Sequence, residues 1–118
     1  METPTDSASL TFAALAHPTR RAILERLSLG EADVGELAIP FGMSQPTITK
    51  HLRVLERAGL VATRRDAQRR PRALVAAPLR DATHWLASFS EQWSARLDSL
   101  DSYLQNLQQE QSRHAGTK

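Results

Sequence analysis

The chain has 118 residues, 41% of them apolar and 24% charged, which fits one globular domain rather than a disordered or fibrous chain. It contains no cysteine, which excludes disulfides, thiolate metal sites, thiol nucleophiles and thiol redox switching, and is compatible with a reducing cytoplasm. The net charge is only +2, but residues 44–72 hold eight basic and two acidic side chains, a local excess of six, while the remainder is net acidic. Such a run is either a solvated face or a patch for a polyanion, and the neighbouring elements decide between them.

The N-terminal stretch METPTDSASL lacks the basic and apolar regions of a secretion signal, and no segment approaches the roughly 18 apolar residues of a membrane span; a cytoplasmic protein without membrane contact is expected. Residues 1–8 and 109–118 are polar and read as disordered tails around a structured region at 9–108. A short apolar helical pattern with Leu10, Ala13, Ala14 and Leu15 stops at His17-Pro18. Pro18 then opens a second helix, since its missing N–H has no intrahelical partner in the first turn. Ala22, Ile23, Leu24 and Leu27 form its stripe, which ends at Gly30. Asp33 is placed to cap a third helix with Val34, Leu37 and Ala38, ending near Pro40 and Gly42.

After the turn Phe41-Gly42-Met43, Ser44 is an N-cap candidate for a fourth helix whose Ile48, Leu52 and Leu55 share one face and which ends at Ala58-Gly59. Residues 60–65 and 72–76 read as two short strands around a polar tip, with Pro71 at an edge or bulged position. From Leu79 onward, Leu79, Leu86, Trp93, Leu100 and Leu107 repeat every seven residues, joined by Phe89, Leu97 and Leu104. About 30 helical residues span about 45 Å, more than so small a domain can cover with its own core, so part of this seam requires a partner.

Two short helices joined by a tight turn form a helix-turn-helix pattern. With Ile48, Leu52 and Leu55 turned inward, Gln45, Thr47, Thr49, Lys50 and Arg53 remain as hydrogen-bonding groups for a DNA groove; the bland alternative is an amphipathic helix with a solvated polar face. The basic hairpin, with Arg64, Arg65, Arg69, Arg70 and Arg72, would flank a docked helix and reach phosphates, which favours a winged helix-turn-helix bound to double-stranded DNA.

The segments ALAHPTRRAIL (residues 14–24), VGELA (34–38) and MSQPTITKHLRVLERAGLV (43–61), in that order, resemble the ArsR family of bacterial transcriptional regulators. The resemblance covers about residues 10–107. It implies a mainly α fold with a small β-hairpin in the order α-α-α-α-β-β-α, dimeric through its first and last helices. By position it implies DNA contacts from Ser44, Gln45, Thr47, Thr49, Lys50 and His51, and wing contacts from Arg65, Arg69 and Arg70. On the same footing Leu10, Leu86, Phe89, Trp93, Leu97, Leu100 and Leu104 form the dimer seam. The function implied is a homodimeric repressor, autoregulatory in one version, occupying a partly palindromic operator.

Two departures matter. The cysteine pair that many members carry in the third helix for metal sensing is missing from Asp33-Val34-Gly35-Glu36-Leu37, and Asp81 with His84 supplies only two ligand-type side chains; no metal, cofactor or small-molecule effector is indicated. The wing has Pro71 and Ala73-Leu74-Val75 where the family favours an Arg/Tyr-rich strand, which leaves its individual contacts open. His51 suits a phosphate contact or an interhelical hydrogen bond equally, and Trp85 and Trp93 suit packing better than a ligand pocket. No phosphate-binding loop or nucleophile motif marks an enzyme. The competing readings are a protein-interaction adaptor, which the basic hairpin disfavours, and an architectural DNA-binding protein without base readout.

Overall fold

The computed structural model describes residues 6–116. Five helices and a two-stranded hairpin follow the order α1 (Ser7–Leu15), α2 (Pro18–Leu27), α3 (Val34–Phe41), α4 (Gln45–Arg57), β1 (Val61–Thr63), β2 (Arg72–Leu74) and α5 (Ala77–Gly116). Two units result, one up to Ala82 and one from Thr83 on.

Local chemistry sets the helix boundaries in the first unit. The Asp6 carboxylate accepts from Ser9 N–H at 2.9 Å and starts α1. His17 Nδ1 accepts from Thr19 N–H at 3.1 Å and, with Pro18 in the first turn, starts α2. Asp33 and Glu36 form a reciprocal capping box at α3: Asp33 Oδ1 accepts from Glu36 N–H at 2.8 Å, and Glu36 Oε1 accepts from Asp33 N–H at 3.3 Å. Gly42 closes α3 with a φ of 62°, and Gly59 turns the chain from α4 into the hairpin with a φ of 75°.

One core joins these elements: Ala14, Ile23, Leu24, Leu27, Leu37, Ala38, Ile48, Leu52, Leu55, Leu60 and Val61 are buried, with Leu10, Leu15, Leu74 and Leu79 packed around them. The strands pair antiparallel with Val61 opposite Leu74 and Thr63 opposite Arg72. Ala32 adds a bridge to Arg72, which ties the loop before α3 to β2. Pro71 is buried just before β2; its carbonyl accepts from Arg64 N–H at 2.8 Å, while its missing N–H leaves the reciprocal bond of that pair unmade, at the end of the ladder where the loss is confined.

The ends differ from expectation. Residues 1–5 of the expected N-terminal tail lie outside the described residues, but Asp6 to Ala8 already cap and begin α1. The expected tail at 109–118 is helical as far as Gly116: no proline or glycine interrupts 79–115, and Gln, Glu and Arg in that stretch are good helix formers. The second unit consists of this helix alone. Its seam residues Leu86, Phe89, Trp93, Leu97, Leu100, Leu104 and Leu107 are 38–52% exposed, and Trp85, Phe89 and Trp93 stack in a ladder with centroids 5.7 and 6.2 Å apart.

Burial predicts where the fold is vulnerable. Leu52→Ala, at a side chain 1% exposed, should cost about 2–5 kcal/mol in urea denaturation. Ile39→Ala, 82% exposed, should stay within about 0.5 kcal/mol of the parent.

Candidate nucleic-acid interface

Helix α4 carries the largest amphipathic contrast in the first unit. Ile48, Leu52 and Leu55 are at most 1% exposed, whereas Gln45, Thr47, Lys50 and Arg53 are exposed and Thr49 is half-buried. Ser44 caps the helix through its hydroxyl, which accepts from Thr47 N–H at 3.3 Å and lies 2.9 Å from Thr47 Oγ1. That bond fixes the first turn and draws both hydroxyls together. The Gln45 amide lies beside Gly35 of α3, where a Cβ would meet its Nε2 at an ordinary contact distance of 3.6 Å.

His51 turns partly inward. Its ring centroid lies 4.5 Å from that of His17, and burial, then the neighbouring His17 and Arg20, push its pKa below the usual histidine value. His51 thus lies beside the N-cap of α2 and is only partly exposed on α4.

The hairpin is held to the body by carboxylates that sequence reading did not assign. Glu56 Oε1 of α4 accepts from Thr63 Oγ1 at 2.9 Å and from Arg72 Nε at 3.0 Å, which joins α4 to both strands. Arg64 pairs with Glu31 at 2.9 Å. Arg69, at the tip, reaches the α3 capping box, with Glu36 Oε1 at 2.6 Å and Asp33 Oδ2 at 3.2 Å. The Glu36 N–H first and the Arg69 guanidinium second hold Asp33 below the ordinary carboxylate range. Arg65 and Arg70 have no ion pair among the described residues. A cleft of about 560 Å³ lies between the wing tip and the start of α3, lined by Asp33, Gln45, Gln68, Arg69, Arg70 and Arg72 among others. The capping-box pattern Asp33-x-x-Glu36 was visible in the sequence; its second use as a counter-ion for Arg69, 33 residues along the chain, was not.

Of the expected seam residues, Leu10 packs on the core of the first unit, and the others lie on α5. Among the described residues no group of three or more His, Cys, Asp or Glu is assembled within the chain. Among the described residues no helix is long and apolar enough to cross a membrane.

A capped helix presenting polar side chains beside a basic hairpin defines a winged helix-turn-helix DNA-binding regulator. Comparisons with known proteins agree. Residues 15–64 match the helix-turn-helix domain family. The chain is 35% identical over 78 residues to the transcriptional repressor SdpR of Bacillus subtilis, covering 66% of this chain and 87% of that one. It spans about half the length of several other curated relatives that it matches. A crystal structure of an ArsR family transcriptional regulator superposes with a TM-score of 0.69 at 42% identity, over 75% of this chain and 98% of that one. A homodimeric winged helix-turn-helix DNA-binding domain from Mycobacterium bovis gives 0.59 at 26% identity, over 77% and 92%. The chain belongs to the ArsR family of winged helix-turn-helix transcriptional regulators.

The His51 environment predicts a pH effect on stability. Because the folded state favours the neutral ring, no penalty exists above the unfolded value of 6.5; it develops as pH falls below that value and levels off once the folded-state pKa is passed. Urea denaturation at pH 8 and pH 5 should show a loss of stability on acidification that is smaller in His51→Gln.

Proposed function

We propose that the protein is a homodimeric repressor that places two copies of α4 in successive major grooves of a partly palindromic operator and blocks transcription by occupying it. The observation that supports this most is the division of α4, whose buried Ile48, Leu52 and Leu55 turn Gln45, Thr49, Lys50 and Arg53 outward beside the wing. The homodimeric relative and the exposed α5 seam support the two-fold arrangement. Half-sites would then lie about 10 bp apart or a multiple of it. Gln45 and Thr49 are assigned to base edges, Lys50 and Arg53 to phosphates, with Ser44 and Thr47 shaping the first turn. In the wing, the unpaired Arg65 and Arg70 are assigned to phosphate. Arg64 and Arg69 could reach DNA only by exchanging a carboxylate for it, and so hold the wing in place.

The reading is tested by fluorescence anisotropy of the purified protein with DNA from upstream of its own gene and with scrambled duplex, across a salt series. Much tighter binding to the upstream DNA identifies an autoregulatory, sequence-reading repressor. Equal, steeply salt-dependent binding to both would replace it with an architectural role, and no binding at low salt with an adaptor. Arg65→Ala and Arg70→Ala should each lower the slope of log K against log salt by about 0.9, whereas Arg64→Ala should leave it unchanged. Gln45→Ala should relax preference at one base position, at a cost of about 1–3 kcal/mol for the preferred base, while Lys50→Ala weakens all duplexes alike.

A further inference from the structure

We propose that Arg69 is a positioning residue: its clasp on Asp33 and Glu36 holds the hairpin tip in a strained two-residue turn, and the register of that turn decides which arginines of the wing stay free. This rests on the reading of Arg65 and Arg70 as phosphate contacts and adds what keeps them available.

Asp66 and Arg69 exchange both backbone bonds, Asp66 N–H to the Arg69 carbonyl at 3.1 Å and Arg69 N–H to the Asp66 carbonyl at 2.9 Å. Ala67 and Gln68 are therefore the whole loop. Ala67 has a φ of 55° and Gln68 lies outside the positive region, the pattern of a hairpin turn whose first central position favours glycine. Among the described residues Ala67 is the only non-glycine residue with positive φ, so the turn works against its own sequence. The strands give it little support. Their ladder ends at Thr63 and Arg72, and beyond it Pro71 has no N–H to return the bond that its carbonyl accepts from Arg64. A three-residue loop with a bulge in the facing strand would relax Ala67 and slip the tip by one residue.

The register sorts the charges. Opposed pairs along the tip are Arg64 with Pro71, Arg65 with Arg70, and Asp66 with Arg69, and successive pairs point to opposite faces. Arg64 and Arg69 thus share the face that meets Glu31, Asp33 and Glu36, whereas Arg65 and Arg70 share the other and have no ion pair among the described residues. The hydrogen bond to Asp33 first, then the charges of Glu36, Asp33 and the opposed Asp66, raise the pKa of Arg69, as this arrangement requires. Asp33 and Glu36 are already fixed by their capping box, so closing the clasp orders little besides Arg69 itself. With Arg69 present, a slip would break the clasp only to remake it through Arg70. Without Arg69, the same slip relaxes Ala67 and draws Arg70 onto the vacated carboxylates, which leaves one free arginine fewer.

The chain has no cysteine, so the register can be read without DNA. Residues 65 and 70 form a pair without mutual backbone bonds, whose side chains lie closest, and Arg65→Cys with Arg70→Cys in one chain should close a disulfide in a glutathione buffer. Adding Arg69→Ala should lower the closure constant at least about tenfold, and adding Ala67→Gly as well should restore it. No closure in the starting pair, an unchanged constant with Arg69→Ala, or a loss that Ala67→Gly does not restore would each overturn the proposal. On DNA, with Arg65 and Arg70 intact, Arg69→Ala should lower the slope of log K against log salt by about 0.9 and Ala67→Gly should recover it. A loss without recovery makes Arg69 itself the phosphate contact, and an unchanged slope removes its control over Arg70; either overturns the proposal. A parent protein that fails to bind DNA at low salt overturns the function proposed above, while the closure constants still decide the register.

Discussion

Everything on the DNA-facing side depends on the burial of three side chains along one stripe of α4. Ile48, Leu52 and Leu55 have essentially no solvent exposure and are gripped from several sides by α1, α2, α3 and β1. Each fully buried aliphatic side chain contributes about 1.5–3 kcal/mol, so the three together outweigh any preference of the polar residues on the opposite face for another orientation. The helix cannot rotate about its axis without exposing this stripe. The outward set is therefore a consequence of core packing, and hydrogen-bonding groups can be selected there at little cost to stability.

A second constraint fixes the hairpin relative to that helix. Glu56 lies on α4 between the buried stripe and the outer face, and its single Oε1 engages a residue on each strand. Arg72, only 15% exposed in its side chain, is the better placed of the two because it also takes part in the backbone bridge to Ala32. Helix α4 and the hairpin thus share one reference point, and a shift of the hairpin would break several weak bonds at once.

The sequence was legible wherever local chemistry decides. Ser44, Asp33, Pro18, Gly42 and Gly59 each mark a helix boundary by a reason internal to a few neighbouring residues, and all stand where those reasons put them. The stripe of α4 was equally legible, because a 3.6-residue period has one reading in a short helix between two turns. What the sequence withheld is long-range. Five arginines in a hairpin look alike by composition, and only the fold brings Glu31, Asp33 and Glu36 against two of them. On sequence His51 suited a phosphate contact and an interhelical hydrogen bond alike, and only the fold brings His17, the cap of α2, against it. The polar tail beyond Leu107 read as disorder because polarity lowers the apparent need for a fold, yet an uninterrupted run of good helix formers continues α5 to Gly116.

The carboxylates around the wing also alter what its charge can do. Residues 44–72 have a surplus of six positive charges, and drawing Glu31, Asp33 and Glu36 onto this surface halves it. Exposed pairs of this kind add little stability, typically about 0–1 kcal/mol each, so their effect lies elsewhere. Attraction to phosphate is sequence-blind and grows with every cation presented to DNA. A regulator must find one site among a great excess of others, and what matters is the ratio of specific to nonspecific affinity. In the proposed complex, tying Arg64 and Arg69 to the body while leaving Arg65 and Arg70 free would lower the sequence-blind part of binding. Discrimination would then fall more heavily on the outer face of α4.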